Sequence, residues 1–378
     1  MFKYPWSQPS IDDSDAMAVS AAVRTSWVSG GNEIDEFSRN LGSWLSAENV
    51  VLVNNGTSAL SATFLALDLK EGDEVIVPAF GFMAATNILI QLRLKPIFAD
   101  MDKRTWCLTK ESIFASLTKR TRAVVVTHNY GNSDDISSIA EFVRETLKLP
   151  LIEDAAEALG SSQNGKALGT FGDFGTFSFH ATKLITTGEG GAIVCKSREH
   201  LEKLKLIISH GLNRINHYQH ILPGSNFRLP NYCAALGNSQ MQKINGFVEK
   251  RRLVDSWYRK ILTNSDLSSL LEFQSLQSNE IVPWSFPLRI KNSELNFKYL
   301  MELLKKSGIE VRPGFRTPEA LPYLQKLVDV KTFPNASRIS KEIISMPSYT
   351  DLNEVDVIRI CKTFIEILEN HEIGRAHV

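Results

Sequence analysis

Short apolar runs alternate with longer amphipathic stretches over the first two-thirds of the chain. Val50–Val53, Glu74–Val77, Pro96–Ala99, Ala123–Thr127, Leu151–Glu153, Thr176–Phe179 and Ala192–Cys195 read as strands. They are short, mostly rich in β-branched and aromatic residues, and bounded by turn formers. Between them Ser58–Leu67, Ala84–Gln91 and Ser137–Thr146 read as helices. Strands separated by helix-length segments predict βαβ units, hence an α/β fold with a mostly parallel central sheet and helices on both faces. Ligands of such sheets bind at the carboxyl ends of the strands. Polar motifs directly after each strand are therefore the candidate chemistry.

The pattern changes near Pro230. Asn231–Leu262 reads as one or two long helices, with Ala234, Ala235, Leu236, Met241 and Ile244 as buried positions. A strand-like run (Ile281–Ile290), a helix (Glu294–Lys306), a short strand (Ile309–Val311) and a final helix (Asn353–Leu368) follow. This predicts an N-terminal segment and large domain over 1–245 and a smaller C-terminal α/β domain over 246–371. The last seven residues, Glu-Ile-Gly-Arg-Ala-His-Val over 372–378, continue none of this pattern. They match the translation of a widely used sequencing-library adapter, so a non-native tail is expected there, a frayed terminus being the alternative.

Composition narrows the classes. The 378 residues are 43% hydrophobic and 22% charged, with 42 basic and 42 acidic side chains. Neutrality speaks against a nucleic-acid binder and leaves room for a local anion site. No run of about 18 apolar residues and no apolar core in Met1–Pro9 suggests a span or a signal segment, so no membrane partner and a cytoplasmic location are expected. Cys107, Cys195, Cys233 and Cys361 are widely spaced without a CxxC pair. That spacing predicts reduced thiols, with no metal site and no disulfide framework.

The candidate chemistry concentrates between Leu151 and Cys195. Asp154 ends an apolar strand and is expected to point into the crevice. A carboxylate there can hold a cationic ring nitrogen or a metal, or cap the next helix. Lys183 follows the next strand, close to Ser178 and His180 and ahead of Thr186-Thr-Gly188-Glu-Gly190-Gly191. A buried lysine that loses its proton easily forms a Schiff base with a carbonyl; an ordinary surface lysine is the alternative. The glycines let the backbone pass close to a bound group. An Asp for a pyridinium nitrogen and a Lys for an imine are what pyridoxal phosphate asks of a protein. Asn54-Asn55-Gly56-Thr57-Ser58 opens a helix after the first strand and offers N–H groups and hydroxyls to a phosphate, or is simply a capped helix start. Ser178 can donate to the same phosphate. Phe80 and Phe82 follow the second strand, where an aromatic can stack on a ring or join the core.

Taken together, the motifs NGTSAL, VPAF with its aromatic, HNYG, EDAAEALG, FSFHATK, TTGEGG and GSNFRLPNYCAALG resemble the fold-type-I, pyridoxal-phosphate-dependent nucleotide-sugar aminotransferases of the DegT/DnrJ/EryC1/StrS family. The resemblance spans Trp27 to Leu368. It implies that Lys183 carries the imine and shuttles protons, and that Asp154 pairs with the pyridinium nitrogen. It also implies that Phe82 stacks on the ring and that Gly56, Thr57, Ser58 and Ser178 bind the phosphate. Glu157 stands at a cofactor-side position where many members have Gln. Asn226 would reach a partner's phosphate across a homodimer with shared active sites. Ser29, Gly30, His128, Arg228 and Arg312 are implied on the substrate side, Arg228 for the carboxylate of the amino donor; a hydrogen-bonded structural histidine is the alternative for His128. After Arg312-Pro-Gly-Phe-Arg316-Thr-Pro318 this chain has Glu319 and Ala320, and lacks the His that relatives often carry.

The implied reaction is transamination from an amino acid, glutamate first, to a nucleotide-linked 4-keto-6-deoxyhexose at C4, as in the perosamine-synthase-like branch, for amino-sugar and polysaccharide biosynthesis. Amination at C3 and a non-catalytic regulator on the same fold remain as alternatives. A 3-dehydratase of this fold carries His in place of the imine lysine, which Lys183 speaks against. No GxGxxG follows the first strand, which speaks against a dinucleotide-dependent oxidoreductase.

Overall fold

The structure is a computed structural model describing residues 2–212, 218–292, 295–327, 331 and 333–373. Seven strands form the large sheet: β1 (Val50–Val53), β2 (Glu74–Pro78), β3 (Lys95–Ala99), β4 (Thr121–Thr127), β5 (Leu151–Asp154), β6 (Phe174–Ser178) and β7 (Gly191–Cys195). Their order is β1-β7-β6-β5-β4-β2-β3. β7 alone runs antiparallel to its neighbours. The expected α/β architecture is thus observed. The periodicity of two explains why both faces are covered: in β4, Ala123 and Val125 join one apolar cluster while Val124 and Val126 join the other. The helices Gly56–Ala66, Ala84–Gln91 and Arg198–Ile207 pack on the first face, through Leu60, Ile88 and Leu204 among others. Asn32–Leu45 and Ile136–Glu141 pack on the second, through Phe37, Leu41 and Ile139.

Asn231–Thr263 is one continuous helix of 33 residues. Ala234, Met241, Ile244 and Phe247 serve the second cluster of the large sheet. Val254, Tyr258 and Leu262 serve a third cluster built on the small sheet. That sheet has the order β8-β9-β11-β10, with β8 Leu271–Phe273, β9 Phe286–Ile290, β10 Arg312–Pro313 and β11 Ile343–Met346, all antiparallel. The helices Phe297–Lys306 and Glu354–Ile373 cover it, with Leu300, Leu304, Ile360 and Phe364 buried.

Three differences from the sequence reading have physical causes. The strand expected over Ile281–Ile290 begins only at Phe286. Ahead of it Val282 N donates to Ser161 Oγ (2.8 Å) and Trp284 N to the Tyr130 carbonyl (3.0 Å), so this stretch bonds to loops of the large sheet. Pro283 between them has no N–H to offer a ladder. Ile309 forms only a single bridge, to Tyr4, and the short strand lies three residues on, at Arg312. Tyr4 thereby packs in the third cluster, with residues from the far end of the chain. The helix Asp13–Arg24, unread in the pattern, starts on an Asp12 capping box. It is pinned to the long helix by the buried Asp15, which accepts from Ser239 Oγ (2.6 Å), Gln240 Nε2 (2.8 Å) and Lys243 Nζ (2.7 Å).

Candidate active site

The carboxyl ends of β1, β2, β4, β5 and β6 share one edge of the large sheet. Parallel register sets Asp154 beside Thr127 and Thr176 there. Asp154 is buried, and its carboxylate accepts a hydrogen bond from Ala156 N at 3.2 Å. Burial pushes its pKa up, against the Ala156 N–H and the charges of Lys183 and His128.

Lys183 lies in the turn between β6 and β7, its N–H bonded to the His180 carbonyl. Its side chain is only 13% exposed. Nζ stands 4.0 Å from Glu157 Oε1 and 3.9 Å from the centroid of the Trp284 ring. Burial holds the amine below the usual lysine range, with Glu157 and Asp154 opposing and Arg251 adding to the shift. Glu157 is buried too, and its other oxygen accepts from Tyr130 N at 2.8 Å. Burial pushes this carboxyl up to about 7 against Lys183 and the Tyr130 N–H, with Asp154 adding to the rise. Lys183, Glu157 and Asp154 thus form one cluster of ionisable side chains at the sheet edge.

The helix after β1 starts at Gly56, two residues earlier than the pattern predicts, because Asn55 caps it. Asn55 Oδ1 accepts from Ser58 N at 2.7 Å, so that N–H is committed and Ser58 is left with its hydroxyl. Gly56 and Ser178 meet here: a Cβ on Gly56 would stand 3.1 Å from Ser178 Cβ. Ser178 is buried, and its Oγ accepts from His180 N at 3.3 Å. Thr57 is exposed at the helix start. Phe80 is fully buried against Tyr130 and Phe315, whereas Phe82 is 68% exposed. Of the two rings, Phe82 is the one with a free face.

The substrate-side residues spread over three places. The ring of His128 is buried, with Nε2 2.8 Å from Glu153 Oε2. Glu153 in turn accepts from Gly169 N (2.8 Å) and Gly172 N (2.6 Å). Of the two readings of His128, this contact supports the hydrogen-bonded structural one, since this ring edge is engaged in the interior. Ser29, Gly30 and Arg228 line a separate cleft of ≈ 620 Å³. Arg228 Nε donates to Asn226 Oδ1 at 3.0 Å, and both residues are exposed. Arg312, on β10, pairs with Glu310 at 2.7 Å and lies over Trp6 at 5.7 Å. Trp6 packs edge-on against Trp284 (5.3 Å), so Arg312 joins the Lys183 group only through two rings.

Sequence reasoning missed Trp284 and Arg251. Trp284 lies 102 positions after Thr182, whose carbonyl accepts its Nε1–H at 2.8 Å. Arg251, buried on the long helix, donates through Nη1 to the carbonyls of Trp284 (3.1 Å) and Ser348. Neither belongs to a local motif, and only the fold brings them to Lys183.

These residues fit pyridoxal phosphate. Asp154 is a buried carboxylate with, among the described residues, a single N–H donor, the partner a ring N–H requires. Gly56 and Ser178 form a close cradle at a helix N-terminus. Lys183 is a buried amine held toward its neutral, nucleophilic form. Among the described residues no cluster of His, Cys, Asp or Glu could hold a metal ion, and no helix is long and apolar enough to cross a membrane.

Comparison with known proteins gives the same picture at the level of the whole chain. A GDP-perosamine synthase of Vibrio cholerae is 33% identical over 361 residues, covering 94% of this chain and 97% of that protein. The crystal structure of the aminotransferase TlmJ from Streptoalloteichus hindustanus superposes with a TM-score of 0.91 at 25% identity, over 98% of this chain and 100% of that one. The E. coli GDP-4-keto-6-deoxy-D-mannose-3-dehydratase with bound hydrated PLP superposes with a TM-score of 0.90 at 25% identity, over 96% of this chain and 100% of that one. The sequence model of the DegT/DnrJ/EryC1/StrS aminotransferase family matches residues 9–365. The chain belongs to the DegT/DnrJ/EryC1/StrS aminotransferase family.

Proposed function

We propose that the chain transfers an amino group from glutamate to C4 of a nucleotide-linked 4-keto-6-deoxyhexose, with GDP as the nucleotide. The carrying observation is Lys183, a buried amine grouped with Glu157 and Asp154 at the carboxyl edge of the sheet. Pyridoxal phosphate is the cofactor; when bound it supplies the aldehyde carbon that takes the amino group as glutamate leaves as its 2-keto acid, and the ring that takes up carbanion charge, and the keto oxygen of the sugar leaves as water when the amino group is passed on. Lys183 Nζ would hold the cofactor through that carbon and would move the proton at the substrate carbon. Asp154 holds the cationic ring nitrogen. The helix start at Gly56 and Thr57, with the hydroxyls of Ser58 and Ser178, holds the phosphate. Phe82 covers the ring, and Glu157 lies beside Lys183. Ser29, Gly30, Arg228 and Arg312 serve the substrates, with Arg228 for the donor carboxylate.

The choice of C4 and of GDP is supported by similarity to the V. cholerae protein named GDP-perosamine synthase. The dehydratase reading, favoured by an equally close fold, is opposed by Lys183 at the imine position. A homodimer with shared active sites, Asn226 of each copy reaching the other's phosphate, is supported by the exposure of Asn226, Phe82 and Tyr218. The division into domains at 245/246 is supported by the long helix, which passes from one core to the next. Four unpaired cysteines support a reducing, cytoplasmic setting. A non-native 372–378 remains our reading of the tail; residues 374–378 lie outside the described residues.

The test is direct. Protein loaded with pyridoxal phosphate should show the imine absorbance band, and glutamate should bleach it. Of a panel of nucleotide keto sugars, GDP-4-keto-6-deoxymannose should be aminated at C4. Lys183→Ala should abolish both half-reactions. Turnover at the wild-type rate in that variant, or a C3-amino product, would overturn the reading.

A further inference from the structure

The amine of Lys183 faces an aromatic ring that the family resemblance does not account for. Trp284 belongs to the segment before β9, and four bonds and contacts hold it in place. Its Nε1 donates to the Thr182 carbonyl, one residue before Lys183 (2.8 Å). Its backbone N donates to the Tyr130 carbonyl (3.0 Å), while Tyr130 N donates to Glu157 Oε2 (2.8 Å). Its own carbonyl accepts from the buried Arg251 (3.1 Å). Trp6 closes on it edge-to-face at 5.3 Å. Glu157, Tyr130, Trp284 and Thr182 therefore form a closed circuit around Lys183, whose Nζ lies 3.9 Å from the Trp284 ring centroid and 4.0 Å from Glu157 Oε1. An ammonium over an indole face is attracted by the ring quadrupole, more strongly where water is excluded.

We propose that the Trp284 face, together with the Glu157 carboxylate, is the seat of the free Lys183 ammonium, which makes Trp284 a positioning residue for the amine whenever it is not bonded to a carbonyl. This rests on the reading of Lys183 as the imine lysine. The ionic groups that face the amine are Glu157 and Asp154 from the sheet edge and Arg251 from the long helix. The acids and the indole favour the ammonium. Burial and Arg251 favour the neutral amine, so the seat sets how readily the lysine gives up its proton.

The experiment measures the protonation of Lys183 in the full-length apo-protein by carbamylation with cyanate from pH 6 to 10, read on the Lys183 peptide by mass spectrometry. Fluorinated tryptophans placed at position 284 weaken the quadrupole and keep the ring's shape. The midpoint should fall stepwise with fluorination, by about one pH unit in total, so that labelling at pH 7 rises about tenfold. Trp284→Phe should fall part of the way. A midpoint that stays constant through the fluorinated series overturns the seat. Capture of pyridoxal phosphate by the same variants, read as imine absorbance, separates the two readings. If cyanate midpoints shift and Lys183 never captures the cofactor, the seat stands and the imine role fails. If the cofactor is captured with no shift, the seat alone fails.

Discussion

Glu157 binds a proton more tightly in the folded chain than in the unfolded one, its carboxyl being pushed from 4.5 to about 7 by burial. Between those values the folded state holds the extra proton, so stability must fall as pH rises through this window. In the apo-protein the stability of the wild type relative to Glu157→Gln should decline by up to about 3 kcal/mol between pH 4.5 and 7. Urea unfolding at a series of pH values measures it, and parallel curves for the two proteins would refute it. The same scale shows what a residue pattern conceals. Asp154 was legible because it ends an apolar strand and adjoins the lysine motif. Its neighbour Glu153 points to the opposite face, as consecutive strand residues do. There it binds two glycine N–H groups and the ring of His128. His128, adjacent in sequence to the crevice, thus belongs to the interior for a reason that lies 25 residues away.

At the scale of elements, the long helix approaches Asn32–Leu45 at Gly237, where a Cβ would stand 2.5 Å from the buried Phe37 ring. Gly237→Ala should destabilise the protein by about 1–3 kcal/mol through overpacking. Gly246 of the same helix has nothing within 4 Å of its Cβ position. Gly246→Ala should instead stabilise by up to about 1 kcal/mol, the gain in helix propensity. Thermal unfolding of the pair tests this, and a common sign for both would contradict it. The large-sheet strands were readable because burial on both faces leaves near-continuous apolar runs such as Ala123–Thr127. β8, β10 and β11 were not. They have two to four residues, and Arg312–Pro313 is defined only by the partners Ser345 and Ile344. A two-residue strand has no periodicity of its own to read.

For the whole molecule, the proposed dimer makes a quantitative demand. If Asn226 completes the partner's site, Lys183→Ala and Asn226→Ala chains combined in a heterodimer leave one site carrying both defects and one carrying neither. Equal mixing after reversible dissociation should then restore about a quarter of wild-type activity from two inactive parents. Sedimentation should report a dimer throughout. A mixture no more active than its parents, with exchange of chains verified, would place Asn226 outside the other copy's site.

The bridge between Tyr4 and Ile309 also bears on the order of events during synthesis. The backbone partner of Tyr4 is translated some 300 residues after it. At roughly 5–20 residues per second that is a wait of about 15–60 seconds. Through that interval the large sheet can assemble in sequence, while the small sheet's cluster lacks both its Tyr4 ring and its last helix. The segment around Tyr4 is therefore locked only after the core it belongs to has been made, and until then its apolar ring is open to solvent and to chaperones.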